Sequence, residues 1–171
     1  MKKSRWSRRH AAAGTLGLLL ILGGWRTATE KEPKVEVTEK AAQKDDHVEL
    51  LRTAYENIAK GDVPAALALY DDRIVFHVPG TSQLAGDHTG KAAVGTTMRK
   101  FMELSGGTFK LQPVQIVAND EYGFVLAQAS ASRNGKTIEE QPVQLWRFED
   151  GEPVEIWLYP RGQRAFDDFW S

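Results

Sequence analysis

Apolar side chains recur at helical spacing through Val48, Leu51, Ala54, Tyr55 and Ile58. This i, i+3, i+4 rhythm predicts an amphipathic helix over His47–Lys60. Gly61 stands where a helix C-terminus accepts a left-handed residue. Asp62 can cap a second helix, with Pro64 in a first turn that has no use for the missing N–H, and Ala65 to Tyr70 carry that helix to Asp71-Asp72. The rhythm then shortens. Ile74–Val78 is a β-branched and aromatic run stopped by Pro79-Gly80, which predicts a strand entering a turn. A loop holding Gly86 and Gly90 follows, and a third helix runs from about Ala92 to Leu104, ended by Gly106-Gly107.

From Phe109 to Tyr159 alternation predicts four antiparallel strands, broken at Asn119-Asp120, Asn134-Gly135 and Asp150-Gly151. The last two are dipeptides preferred in tight hairpin turns. Gln163 to Trp170 predicts a short helix that lays Phe166, Phe169 and Trp170 against the body. Helices first and a curled sheet afterwards make an α+β architecture.

Ahead of this lies a different kind of sequence. Lys2, Lys3, Arg5, Arg8 and Arg9 precede an almost unbroken apolar run from Ala11 to Gly24. At 1.5 Å per residue such a run spans about 21 Å, short of the ~30 Å hydrocarbon core of a bilayer. A cleavable export signal over residues 1–29 is therefore expected, which makes the protein periplasmic or extracellular. A membrane tether through residues 11–25, with Trp25 and Arg26 at the interface, is the alternative. Residues 30–46 are rich in Glu, Lys, Gln and Asp and read as a charged, solvated linker. A helical extension of the next element through Lys40 to Lys44 is the other reading. The folded domain then occupies residues 47–171.

At 171 residues and 42% hydrophobic the chain can bury one core. Its 22 basic and 23 acidic residues leave a formal charge of -1, so no global field selects nucleic acid. With no cysteine in the chain, disulfides, thiolate metal sites and a thiol nucleophile are all excluded. The four histidines, His10, His47, His77 and His88, have no metal-ligand spacing, and no glycine-rich phosphate loop is present. Neither a metal nor another cofactor is expected.

Four local patterns in a fixed order carry a family resemblance: Ala54-Tyr55 through Lys60-Gly61-Asp62; Leu69-Tyr70-Asp71-Asp72 leading to Phe76-His77-Val78-Pro79-Gly80; Leu84-Ala85-Gly86; and Ala165-Phe166-Asp167-Asp168-Phe169-Trp170. Over residues 47 to 171 the chain resembles the SnoaL-like branch of the nuclear transport factor 2-like, or cone-barrel, superfamily. The resemblance implies three helices packed on a strongly curved, mostly antiparallel sheet, with a pocket for a small hydrophobic molecule between them. It also implies a homodimer paired through the outer face of the sheet.

His77 is the first candidate for chemistry. Alternation puts it with Val75 on one face of its strand, opposite Ile74, Phe76 and Val78. In the ketosteroid isomerase relatives a carboxylate at the matching place removes a proton next to a carbonyl, and an imidazole near neutrality is a competent base. A buried neutral histidine that orients the turn at Pro79 is the alternative. Gln144 matches the strand position of those isomerases' oxyanion donor, and an amide can donate there although it cannot act as an acid. The isomerases' helix tyrosine falls at Ala54, while Tyr55 reads as core. With these isomerase groups replaced, steroid isomerisation is not expected, and the Asp-Arg-Asp set of the epoxide-opening relatives has no counterpart.

Phe76, Trp146, Trp157 and Tyr159 are expected to hold a flat, apolar ligand, Trp157 and Tyr159 forming an aromatic wall or else packing against the C-terminal helix. Asp87 and His88 form a loop pair that could relay a proton or cap the third helix. The expected function is binding of a small carbonyl-containing apolar molecule, with a cofactor-independent isomerase, cyclase or lyase based on His77 as its enzymatic form. A non-catalytic ligand-binding or protein-interaction module is the alternative.

Overall fold

The computed structural model describes residues 34–171, with side chains described from Asp46 onward. The segment read as an export signal or tether lies outside the described residues, as does the start of the charged linker.

Helix α1 spans Lys34–Ala59 and so begins well before His47. The described part of the predicted linker is helical, as the alternative reading had it. Glu, Lys, Gln and Ala have high helix propensity, and residues joining an existing helix escape the cost of nucleation. Leu51, Ala54 and Tyr55 form its buried stripe. The helix ends at Gly61, whose φ of 75° lets the Asp62 N–H donate back to the Asn57 carbonyl. Asp62 then accepts from the Ala65 N–H and caps α2, Val63–Leu67. Helices α3, Gly90–Leu104, and α4, Gln163–Trp170, complete the helical set.

The seven strands are β1 Val75–Val78, β2 Gly86–Thr89, β3 Lys110–Ala118, β4 Tyr122–Arg133, β5 Lys136–Glu140, β6 Val143–Glu149 and β7 Glu152–Tyr159. They form one sheet in the order β2-β1-β7-β6-β4-β3, with β5 added on β4. All pairings are antiparallel except β1 with β7. The hairpin turns at Asn134-Gly135 and Asp150-Gly151 take positive φ at both residues, as the two dipeptides predict.

Two strands go beyond the expected set. Gly86-Asp87-His88-Thr89 has no β-branched run, and β2 exists because it pairs with β1. The single strand expected between Asn134-Gly135 and Asp150-Gly151 is split by Pro142, which has no N–H to give a ladder. Its two parts pair with different halves of β4: β5 with Ala129–Arg133 and β6 with Tyr122–Leu126.

The ladders line side chains up in rows across the sheet. On the inner face, under the helices, one row runs Gly123–Trp146–Ile156–Phe76–His88 and the next runs Ile116–Val125–Gln144–Leu158. A third inner row runs Leu111–Ala129–Glu140. On the outer face a row runs Val117–Phe124–Leu145–Trp157–His77–Asp87. The absence of a side chain at Gly123 lets α1 approach the sheet, since a Cβ there would stand 2.8 Å from Leu51 Cδ1.

Candidate ligand-binding site

The inner face of β4 presents Val125, Ala127, Ala129 and Ala131, all buried. Ala129 on that face lines a hollow where a larger side chain would fill the core. Aromatic side chains close one end of it. Phe101 meets Phe109 and Trp170 with ring centroids 5.0 Å apart in each pair, and Phe166 packs against both Phe101 and Trp170. The result is a cavity of about 580 Å³, within the roughly 300–1,000 Å³ usual for small-molecule sites. Its walls include Phe76, Met98, Leu111, Ile138, Trp146, Ile156 and Leu158. Arg99, Met102, Glu103, Lys110 and Gln112 also line it and are exposed, so the mouth opens between the end of α3 and the start of β3.

Gln144 is the one buried polar residue of the lining. The Tyr55 hydroxyl, carried in from α1, donates to its Oε1. The acceptor of the amide is thus occupied by protein, and its two N–H donors are left for the cavity. Burial pushes the Tyr55 phenol well above its ordinary pKa, and neighbouring Tyr70 adds to this. The Trp146 indole opposes the shift, although its Nε1 makes no hydrogen bond of good geometry. Tyr55 therefore stays a neutral O–H donor near neutrality. Burial likewise pushes the Tyr70 phenol up.

Glu140 lines the same cavity, half-buried at the end of β5. Burial raises the pKa of its carboxyl, and the backbone N–H of Arg161 partly opposes the rise. The sequence reading missed this residue. Alternation along Lys136–Glu140 does place Glu140 on the face of Ile138, an apolar side chain, and that was the available signal.

Phe76, Gln144 and Trp146 share the cavity. His77, Trp157 and Tyr159 do not, which corrects their expected placement in the pocket. The alternation along β1 holds, but the face that points under the helices is that of Phe76 and Val78. His77 stacks on Trp157 at 5.0 Å with planes 10° apart, outside the sheet. Its Nδ1–H donates to the Asp87 carboxylate at 2.7 Å, while Nε2 lies 3.9 Å from Glu155 and makes no hydrogen bond. Tyr159 is 52% exposed, so it neither walls the pocket nor packs on α4. The Asp87-His88 pair is divided by the sheet. Asp87 serves His77 outside, and His88 sits inside at the sheet edge, where Nε2–H donates to the Leu84 carbonyl.

The outer face also carries a charge network. Arg147 donates to Glu155 and to Glu149, and Arg73 pairs with Asp71 and Glu149. Contact with Arg73 holds the Asp71 carboxyl down at about 2, and Arg147 first, then Arg73, lowers that of Glu149. Among the described residues no group of His, Asp and Glu is arranged to hold a metal ion.

A curved sheet closed by helices over an apolar hollow, with one buried amide inside, defines an α+β class of domain with an internal cavity. Residues 51–156 match the model of the SnoaL-like domain, and the chain belongs to that family. No curated protein matches it. It is similar to the solved structure of Bal32a from a soil-derived mobile gene cassette, at 25% identity and a TM-score of 0.72, over 75% of this chain and 99% of that one. A protein with a cystatin-like fold from Xanthomonas campestris is 30% identical with a TM-score of 0.68, over 73% and 98% of the two chains. TerC co-crystallised with polyporic acid, at 18% identity, a TM-score of 0.65 and coverage of 72% and 97%, shares the fold.

Proposed function

We propose that the domain binds a small, flat, largely apolar molecule whose carbonyl accepts a hydrogen bond from Gln144. The observation that carries this is the Tyr55–Gln144 bond, which commits the amide's acceptor to protein and leaves donors facing an apolar cavity. A donor in such surroundings discriminates strongly for ligands that satisfy it. That TerC has been co-crystallised with polyporic acid supports an organic ligand in a fold of this kind. Turnover by an isomerase, cyclase or lyase route would need a proton acceptor beside the carbonyl held by Gln144; His77 is outside the hollow, and Glu140 pairs with β4 four residues from the partner of Gln144. Binding is therefore the reading the geometry favours.

The test is thermal denaturation of the full chain with 2-acetonaphthone, a flat aryl ketone. At a hundredfold excess over Kd, stabilisation of about 2.7 kcal/mol is expected, and an unchanged transition at saturating ketone would contradict the reading.

A second copy of the chain is the proposed partner on the outer face. Val117, Phe124 and Tyr159 are exposed there beside half-buried Leu145 and Trp157, a contiguous apolar surface of the kind that marks an interface. Phe124→Asp should convert a dimer to a monomer in sedimentation equilibrium, and a monomeric parent protein would refute the pairing. The basic and apolar N-terminal residues support an exported protein. Fractionation of cells with and without residues 1–29 checks this: the full chain should be found outside the cytoplasm and the truncated one within it.

A further inference from the structure

We propose that Glu140 is a second polar anchor of the cavity, selecting ligands that carry a hydroxyl at the end remote from the carbonyl held by Gln144. This rests on the binding reading above and extends it to the ligand's far end.

The argument is one of register. Glu140 pairs with Ala129 and Gln144 pairs with Val125, so both side chains belong to inner rows, on the same edge of β4. Their β4 partners are four residues apart, about 13 Å at 3.3 Å per residue. Between them lies Pro142, with Ala129 opposite Glu140 and Leu158 opposite Gln144, and all three apolar residues line the cavity. The cavity thus has a donor amide at one point and a carboxyl at another, with an apolar stretch between.

That separation decides between two roles. A base acting on an enolisable ketone must reach a carbon bonded to the carbonyl carbon, within hydrogen-bonding distance of where the oxygen is held. Positions about 13 Å apart on the sheet suit the two ends of an extended ligand instead. Among the described residues Glu140 has no ion-pair partner, so a ligand hydroxyl would meet a carboxylate whose acceptor capacity is not taken up by a cation. Burial that raises the carboxyl's pKa also removes competing water, which strengthens a hydrogen bond to the ionised form.

The experiment compares 2-acetonaphthone with its 6-hydroxy derivative, in which acetyl and hydroxyl sit at opposite ends of one flat ring system. Both are titrated calorimetrically into the full chain and into Glu140→Gln and Glu140→Leu. The hydroxylated probe should bind the parent protein about tenfold more tightly or better, the effect of one hydrogen bond to a charged group. Glu140→Leu should abolish that preference, and Glu140→Gln, which keeps a carbonyl acceptor, should retain part of it. The readout is the ratio of the two probes' affinities within each protein, which a general change in the cavity moves little. A purely structural Glu140 would instead weaken both probes together. Equal affinity of the two probes for the parent protein would overturn the assignment of Glu140 and leave the cavity reading standing. Failure of both probes to bind would overturn the cavity reading and the anchor with it.

Discussion

The two faces of one sheet use the same residue types for different ends. Inside, Trp146, Phe76 and Leu158 surround a hollow whose single buried amide is bonded to a buried phenol. Outside, Trp157 stacks on a histidine, and the polar groups pair with one another in reach of solvent: His77 with Asp87, Arg147 with Glu149 and Glu155. An imidazole beside a carboxylate invites a catalytic reading wherever it occurs, but placement decides what it can do. Outside it is held between a paired acid and a stacked indole, whereas inside the amide's donors face the cavity.

The contrast can be broken most severely at Trp146, which is 1% exposed and walls the cavity. Trp146→Ala should destabilise the fold by about 3–5 kcal/mol in urea denaturation. A cost near that of a surface change would mean that the inner face is not packed as described. Gln144→Leu should cost about 1–3 kcal/mol, because it leaves the Tyr55 hydroxyl buried without its acceptor. Adding Tyr55→Phe should recover part of that loss, and strictly additive costs would show that the two groups are uncoupled. On the outer face, His77→Ala loses a stacked ring and a bond to an exposed carboxylate, so its cost should stay within about 1 kcal/mol.

The smallest expected effect is a pH dependence. Burial raises the folded-state pKa of Glu140, so the folded chain binds a proton more readily than the unfolded one. Stability from this source is present below the ordinary carboxylate range and is lost as pH rises through the raised value. Glu140→Gln removes that loss. Relative to the parent protein it should gain stability at neutral pH and show no such gain in acid, and equal differences at both pH values would refute the burial effect.

Much of the fold was legible in the chain. Helical spacing marked the buried stripe of α1, and Asn134-Gly135 and Asp150-Gly151 marked their hairpins, because these signals act within a few residues. Strand β2 was not legible, because its order comes from β1 alone. The break at Pro142 was visible as a residue, yet the division of β4 between two partners is a long-range fact. The site shows the same division. Alternation correctly separated His77 from Phe76 and put Gln144 with Trp146. It could not say which face of β1 lies under the helices, since Phe76, Trp146 and Trp157 are equally suited to a core or an exposed stack. The Tyr55–Gln144 bond joins residues 89 apart in sequence, beyond the reach of any local pattern.

The most direct test of a binding site on the inner face alone is calorimetric titration of 2-acetonaphthone into three proteins: the parent chain, Ala129→Phe, whose added ring fills the hollow, and His77→Ala. Binding should vanish in Ala129→Phe and stay at parental affinity in His77→Ala. Undiminished binding to Ala129→Phe, or binding lost with His77, would contradict the account.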